Sequence, residues 1–227
     1  REFGNGNSST AVALVAGFDG KIVDFEQTAR DLVGRGNDVI AYDYEPDALI
    51  SGDPELLPAM IGDISNDFLG RTSEYARRRY AGASMGAGVC FNMQRADEKA
   101  LPGIYGGAGC DTAHLVMSNL LFRGLVRAFH HGIDPKKEFE LKGYGEADLW
   151  EIWKDLHVPP PSGFAVALGG MDFIVRTREV MPKIETWKTD INIQVHLLRR
   201  LGHTGVIKWF ADNAPFMLDL ADQPLPQ

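Results

Sequence analysis

Apolar residues in this chain come in short unbroken runs rather than in strict alternation. "TAVALVAGFDG" (10–20) is the first, and it ends at a glycine. Five more follow: "DVIAYDYEPD" (38–47), "RYAGAS" (79–84), "GIYGGAGCD" (103–111), "GFAVALGGMD" (163–172) and "INIQVHLLRRLGH" (191–203). A run that is apolar at both parities reads as a strand covered on both faces. Between the runs the period changes. In "DFEQTARDLVGRG" (24–36), Phe25, Ala29, Leu32 and Val33 share one helical face. Asp24 is placed to cap that helix, and Gly34 and Gly36 to close it. Further helices are expected at about 55–76, 85–96 and 204–218. About six strands alternating with helices predict an α/β fold, with a mostly parallel, doubly wound sheet and helices on both faces.

One region breaks the rhythm. Residues 113–160 hold "AHLVMSNLLFRGLVRAFHHG" and "GEADLWEIWKDL", with helical spacing and no strand. An insertion of this kind at the carboxyl edge of a sheet predicts a helical cap. Its apolar positions include Leu115, Met117, Leu120, Leu121, Phe122, Leu125, Phe129, Trp150 and Trp153. Most of that stripe is expected to be helix packing. Phe122 and Trp150 are the expected substrate contacts. No internal repeat or low-complexity tract is present, so residues 1–227 read as one domain carrying the 113–160 cap. The polar start, "REFGNGNSST", reads as a flexible lead-in, an added tail or the start of a processed chain.

Bulk composition narrows the function classes. Among 227 residues, 44% are hydrophobic and 24% charged, ordinary values for a globular protein. A net charge of −8 argues against a nucleic-acid binder, which needs clustered Lys and Arg. The one basic run, Arg77-Arg78-Arg79, reads as a solvated helix end or strand start. No apolar run is long enough to span a bilayer. A cytoplasmic location is the default expectation; a removed signal peptide would leave the same sequence. Cys90 and Cys110 read as two buried free thiols, not a bridge, and no CxxC points to metal or redox chemistry.

The chemistry-bearing stretch is "RYAGASMGAGVC". Gly82-Ala83-Ser84-Met85-Gly86 fits G-x-S-x-G between an expected strand and an expected helix. A sharp strand-to-helix turn would hold the serine in a strained conformation, with no room for side chains two positions to either side. It would also aim a helix N-terminus at the reacting centre. A serine hydroxyl needs a base, and the base needs an orienting carboxylate. Asp172 and His203 stand at the ends of the last two runs, in the chain order Ser, Asp, His. Asp111, at the end of "GIYGGAGCD", is the rival acid. Of the other histidines, His196 is expected to pack within its strand, and adjacent His130 and His131 do not share a helical face for a metal. His114 and His157 are placed to line a pocket near the cap boundaries.

Over roughly residues 10–220 the chain resembles the α/β-hydrolase superfamily. "VAGFDG", "GASMGAG", "GGMDFIV" and "RRLGHTGVI" carry the resemblance. It implies Ser84 as nucleophile, Asp172 as acid and His203 as base. It also implies an oxyanion hole from the backbone N–H groups of Met85 and Phe18. The chain departs from the pattern at Ala16-Gly17, where many members carry His-Gly, and at Ala83, where His is frequent. Asp19, one residue beyond Phe18, either turns away to bond its own loop or contacts the substrate. The implied activity is that of a serine hydrolase acting on a small or medium ester or thioester with an apolar acyl or aryl part. No metal or organic cofactor is implied. Amide hydrolysis, lactone opening and acyl transfer use the same constellation. The absence of an aspartate at the elbow argues against the dehalogenase and epoxide-hydrolase branches. A hydrolase scaffold kept as a receptor or ligand-binding protein would share the fold. A nucleotide-dependent oxidoreductase, with Asp43 for the ribose, would need a glycine spacing that Gly17-Phe18-Asp19-Gly20 lacks.

Overall fold

A computed structural model describes residues 1–17, 21–44, 46–109 and 111–224. Among them, six apolar or mixed runs form parallel strands: β2 (Thr10–Val15), β3 (Asp38–Tyr42), β4 (Arg77–Ala83), β5 (Gly103–Gly106), β6 (Phe164–Gly169) and β7 (Ile193–Leu198). β4 starts two residues before its run, at Arg77, and the other five strands are shorter than theirs. A seventh strand, β1 (Glu2–Phe3), pairs antiparallel with β3 and completes the order β1-β3-β2-β4-β5-β6-β7.

The seventh strand corrects the expectation of six, and of a flexible N-terminal lead-in. Two polar-flanked residues carry no periodicity, so nothing local marks them as a strand. Tertiary partners hold them. Arg1 donates its terminal N–H to Ala41 O at 2.8 Å. The Asp38 carboxylate accepts from the backbone N–H groups of Asn5, Gly6 and Ser8 at 3.0, 3.2 and 3.1 Å. Burial alone would raise the pKa of Asp38, but these donors and the Tyr75 hydroxyl outweigh it and hold the carboxyl below its ordinary value.

The period of two shows within β2. Ala11, Ala13 and Val15 face one core, and Val12 and Leu14 face the other. Helices α1 (Glu26–Gly34), α9 (His203–Asp212) and α10 (Ala214–Ala221) cover the second face through Leu32, Phe210 and Met217. The first face is covered by α2 (Leu56–Arg71), α3 (Met85–Arg95) and α8 (Thr177–Trp187), and by the segment between β5 and β6. That segment folds as α4 (Thr112–Ser118), α5 (Leu120–Phe129), α6 (Pro135–Leu141), α7 (Glu146–Trp153) and a 3-10 turn (Lys154–His157).

Three helical expectations change. The helix expected at 204–218 is two, α9 and α10, because Pro215 in the first turn of α10 cannot continue the N–H ladder of α9. The helix expected at 55–76 ends earlier, where Thr72 N–H and its hydroxyl both close on Phe68 O. Helix α8 carries no sequence-based assignment, and it runs unbroken through Pro182. It is held by Val180 and Ile184 against the sheet. The Arg run is also corrected in part. It does start β4, but only Arg77 is exposed; Arg78 and Arg79 are 6% and 5% exposed.

Candidate active site

Strand β4 leads directly into Ser84, whose φ of 52° and ψ of −120° lie where non-glycine residues are strained. The turn is pinned on both sides. Ser84 N–H donates to Gly106 O at 2.7 Å, and Ser84 O accepts from Ala87 N–H at 3.1 Å as α3 begins. The neighbouring glycines are sterically required. A β-carbon on Gly82 would collide with the backbone of Gly86, and one on Gly86 with the carbonyl oxygens of Val15 and Ala16. Strand, turn and helix therefore touch backbone to backbone. Gly88 differs: a β-carbon there would meet nothing within 4 Å.

The turn presents Ser84 Oγ to His203, the first residue of α9, with Oγ 2.8 Å from Nε2. On the far side of the ring, His203 Nδ1 lies 2.8 Å from Asp172 Oδ2. The second oxygen of Asp172 accepts from Ile174 and Val175 N–H at 2.9 and 2.8 Å. An ionised carboxylate only accepts, so facing one assigns the ring proton to Nδ1 and leaves the Nε2 lone pair toward the serine hydroxyl. The Asp172 side chain is fully buried and that of His203 nearly so. Met85 is the first residue of α3, and the N–H groups of a first helical turn have no intrahelical acceptor.

A narrow cavity of about 50 Å³ opens beside Ser84. Leu57, Ile61, Val89, Phe122, Leu156 and Trp187 make most of its wall apolar. Those side chains come from α2, α3, α5, the 3-10 turn and α8, so the segment between β5 and β6 supplies one side of it. Met85 and Gly88 line it as well.

No protein-family model matches the sequence, and no curated protein matches it. Solved structures do match. An esterase of Pyrococcus furiosus aligns with a TM-score of 0.59 at 16% identity, over 95% of this chain and 81% of its own. Mouse alpha/beta hydrolase domain-containing protein 10 aligns with a TM-score of 0.59 at 18% identity, over 96% and 92%. An alpha/beta hydrolase enzyme from the sediment metagenome of the Mar Chica lagoon, Morocco, aligns with a TM-score of 0.57 at 14% identity, over 96% and 91%.

The chain has the α/β-hydrolase fold. In the α/β-hydrolase arrangement seen here, the other candidates take distinct places. Asp111 is not at His203: it caps α4 by accepting from His114 N–H at 2.9 Å and pairs with Lys183 at 3.4 Å. Phe122 is buried and lines the cavity, whereas Trp150 stands outside the lining, stacked at 4.6 Å on His157, which is in it. Phe18, Asp19 and Cys110 lie outside the described residues. A β-carbon on Gly17 would stand 3.2 Å from Ala83 O and 3.3 Å from the Ser84 side chain. Gly17 thus lies against the elbow. His196 packs as expected, stacked at 4.6 Å on Trp209. Cys90 is a free buried thiol, and burial pushes its pKa up. Among the described residues, no cluster of three or more His, Cys, Asp or Glu is placed to hold a metal, and no helix is long and apolar enough to cross a membrane.

Two contributors escaped the sequence reading. Gly107 has a φ of +60°, and a β-carbon there would press on the His203 ring at 3.3 Å. The adjacent Gly106-Gly107 pair after a strand was the available signal. Asn119 is 1% exposed and donates to Phe173 O and Ile174 O at 3.1 and 2.9 Å, while its own oxygen accepts from Phe122 N–H. It ties the break between α4 and α5 to the loop whose N–H groups hold Asp172. No local pattern marks it.

Proposed function

We propose that the protein is a serine hydrolase that cleaves esters or thioesters by acyl transfer through Ser84. One observation carries the reading: a strained serine at a strand-to-helix turn, linked through His203 to a buried Asp172 by two hydrogen bonds of 2.8 Å. Ser84 Oγ attacks the carbonyl carbon as its proton passes to His203 Nε2. Asp172 holds the imidazole in place and stabilises its cation. The carbonyl oxygen becomes an oxyanion held by Met85 N–H, with Phe18 N–H as the second donor. The C–O or C–S bond then breaks, and the leaving alcohol or thiol takes the proton from His203. Water repeats the sequence on the acyl-enzyme and frees the acid. The helices of 112–157 act as the cap. A cavity of about 50 Å³ holds only a few waters, which favours a short apolar acyl group.

A fluorophosphonate probe tests the nucleophile. Wild type should be labelled, and Ser84→Ala should not. The same variant should lose about 10⁴-fold or more in kcat toward short acyl esters. Labelling of the folded Ser84→Ala protein, or none in wild type, would sink the assignment.

A further inference from the structure

Beside the cavity at Ser84 lies a wider chamber of about 250 Å³. Gly109, Leu115, Ile174 and Val175 line both. Leu115 and Val175 close over the bare backbone of Gly109: a β-carbon there would stand 3.0 Å from Leu115 Cδ1 and 3.6 Å from Val175 Cγ2. These four residues form a shared wall between the two spaces, and two of them, Leu115 and Val175, meet it with aliphatic side chains that can change rotamer.

The chamber's walls have a different chemistry from the cavity's. Asp111, His114, Arg176, Glu179 and Lys183 line it, beside Leu115, Val175 and Val180. The charges are already matched. Lys183 Nζ lies 3.4 Å from Asp111, Arg176 Nη1 lies 3.0 Å from Glu179, and His114 reaches Glu146 and Glu179 at 3.3 and 3.7 Å. An entering ion would meet a like charge for every opposite one, and binding would require breaking an existing pair. A neutral group with several hydroxyls meets neither obstacle. Each hydroxyl donates to a carboxylate oxygen and accepts from an ammonium or guanidinium, without displacing either. The aliphatic wall suits the C–H face of such a group.

We infer that the chamber receives a neutral polyhydroxylated arm, a glyceryl or sugar moiety, of an ester whose short acyl group enters the cavity at Ser84. The inference rests on Ser84 as the nucleophile. The polyol is then the leaving alcohol: its oxygen loses the acyl carbon to Ser84 and takes the proton from His203.

The test compares kcat/KM for the glyceryl and ethyl esters of butyric acid. Wild type should favour the glyceryl ester about tenfold, the value of one or two added hydrogen bonds. Lys183→Met and Glu179→Gln, on the partly exposed face of α8, should each lower that ratio several-fold, with thermal melts verifying the fold. Equal kcat/KM for the two esters in wild type, a ratio that both variants leave unchanged, or a stronger preference for a cationic amino-acid ester would overturn the inference. Calorimetry with the non-hydrolysable 1-O-butylglycerol ether separates it from the nucleophile reading. If no ester is turned over, yet the ether binds wild type and binds Lys183→Met several-fold more weakly, the chamber stands and the nucleophile falls. Ester turnover without glyceryl preference, or no ether binding to wild type at millimolar concentration, overturns the chamber.

Discussion

The two ends of β4 solve opposite problems. At the amino end, Arg78 runs into the core and donates to Thr72 Oγ1 at 2.9 Å, Thr72 O at 3.1 Å and Asp97 at 2.9 Å. Tyr80 donates its hydroxyl to the other oxygen of Asp97 at 2.7 Å, and burial followed by that bond pushes the phenol pKa up. Arg79 reaches Pro102 O and Asp222 at 2.8 and 2.7 Å. Arg78, Arg79 and Tyr80 each find partners, and the Arg78–Asp97 ion pair is nearly dry, with side chains 8% and 3% exposed. At the carboxyl end, six residues on from Arg78, side chains almost vanish. Gly82, Ala83 and Gly86 let backbone meet backbone, and a strained serine is left reachable from a cavity. Large matched charges anchor one end of the strand. The absence of side chains at the other holds the proposed nucleophile where packing alone would not place it. On that proposal, stability and reactivity are separated along a single strand.

That separation can be broken, and three variants do it with decreasing effect. Arg78→Met strands the buried Asp97 carboxylate and should cost about 3–5 kcal/mol in denaturant unfolding. Below its transition, fluorophosphonate labelling of Ser84 should persist; lost labelling in a folded protein would mean the ends are coupled. Gly86→Ala drives a methyl into two backbone carbonyls and should cost about 1–3 kcal/mol, with labelling slowed because the elbow must shift. Labelling at the wild-type rate would show that the close approach is not what positions the serine. Gly88→Ala should act the other way. Nothing occupies the space its methyl would enter, and alanine favours a helix over glycine by about 1 kcal/mol. The protein should melt higher, while kcat/KM falls for butyryl relative to acetyl esters because the methyl enters the cavity. A lower melting temperature would place Gly88 with Gly82 and Gly86 after all.

The difference between Gly86 and Gly88 also measures how far the sequence could be read. Both stand in the same glycine-rich stretch, and the spacing G-x-S-x-G picks out Gly86 but says nothing about Gly88. Periodicity reached the parallel strands because both faces of each are covered, which forces apolar residues at every position. It missed β1, whose two residues are held by the edge of β3, with Asp38 fixing the turn that follows, rather than by their own pattern. It missed α8 because the packing of Val180 and Ile184 overrides the propensity of Pro182. It read the Arg run as solvated because charge alone does not reveal that Asp97 and Asp222 wait across the fold.

The amino-acid sequence by itself determined the alternation of strands and helices, the glycine-framed serine, and the order in which Ser84, Asp172 and His203 follow their strands. Those are local facts, set by spacing along the chain. Only the tertiary structure decided that Asp172, not Asp111, faces His203. It also decided that Gly107 makes room for the imidazole, and that Trp187 from an unforeseen helix lines the cavity while Trp150 stands behind it. Each of these depends on which elements lie side by side in the sheet and on its faces, and that contact is made by burial between segments far apart in sequence.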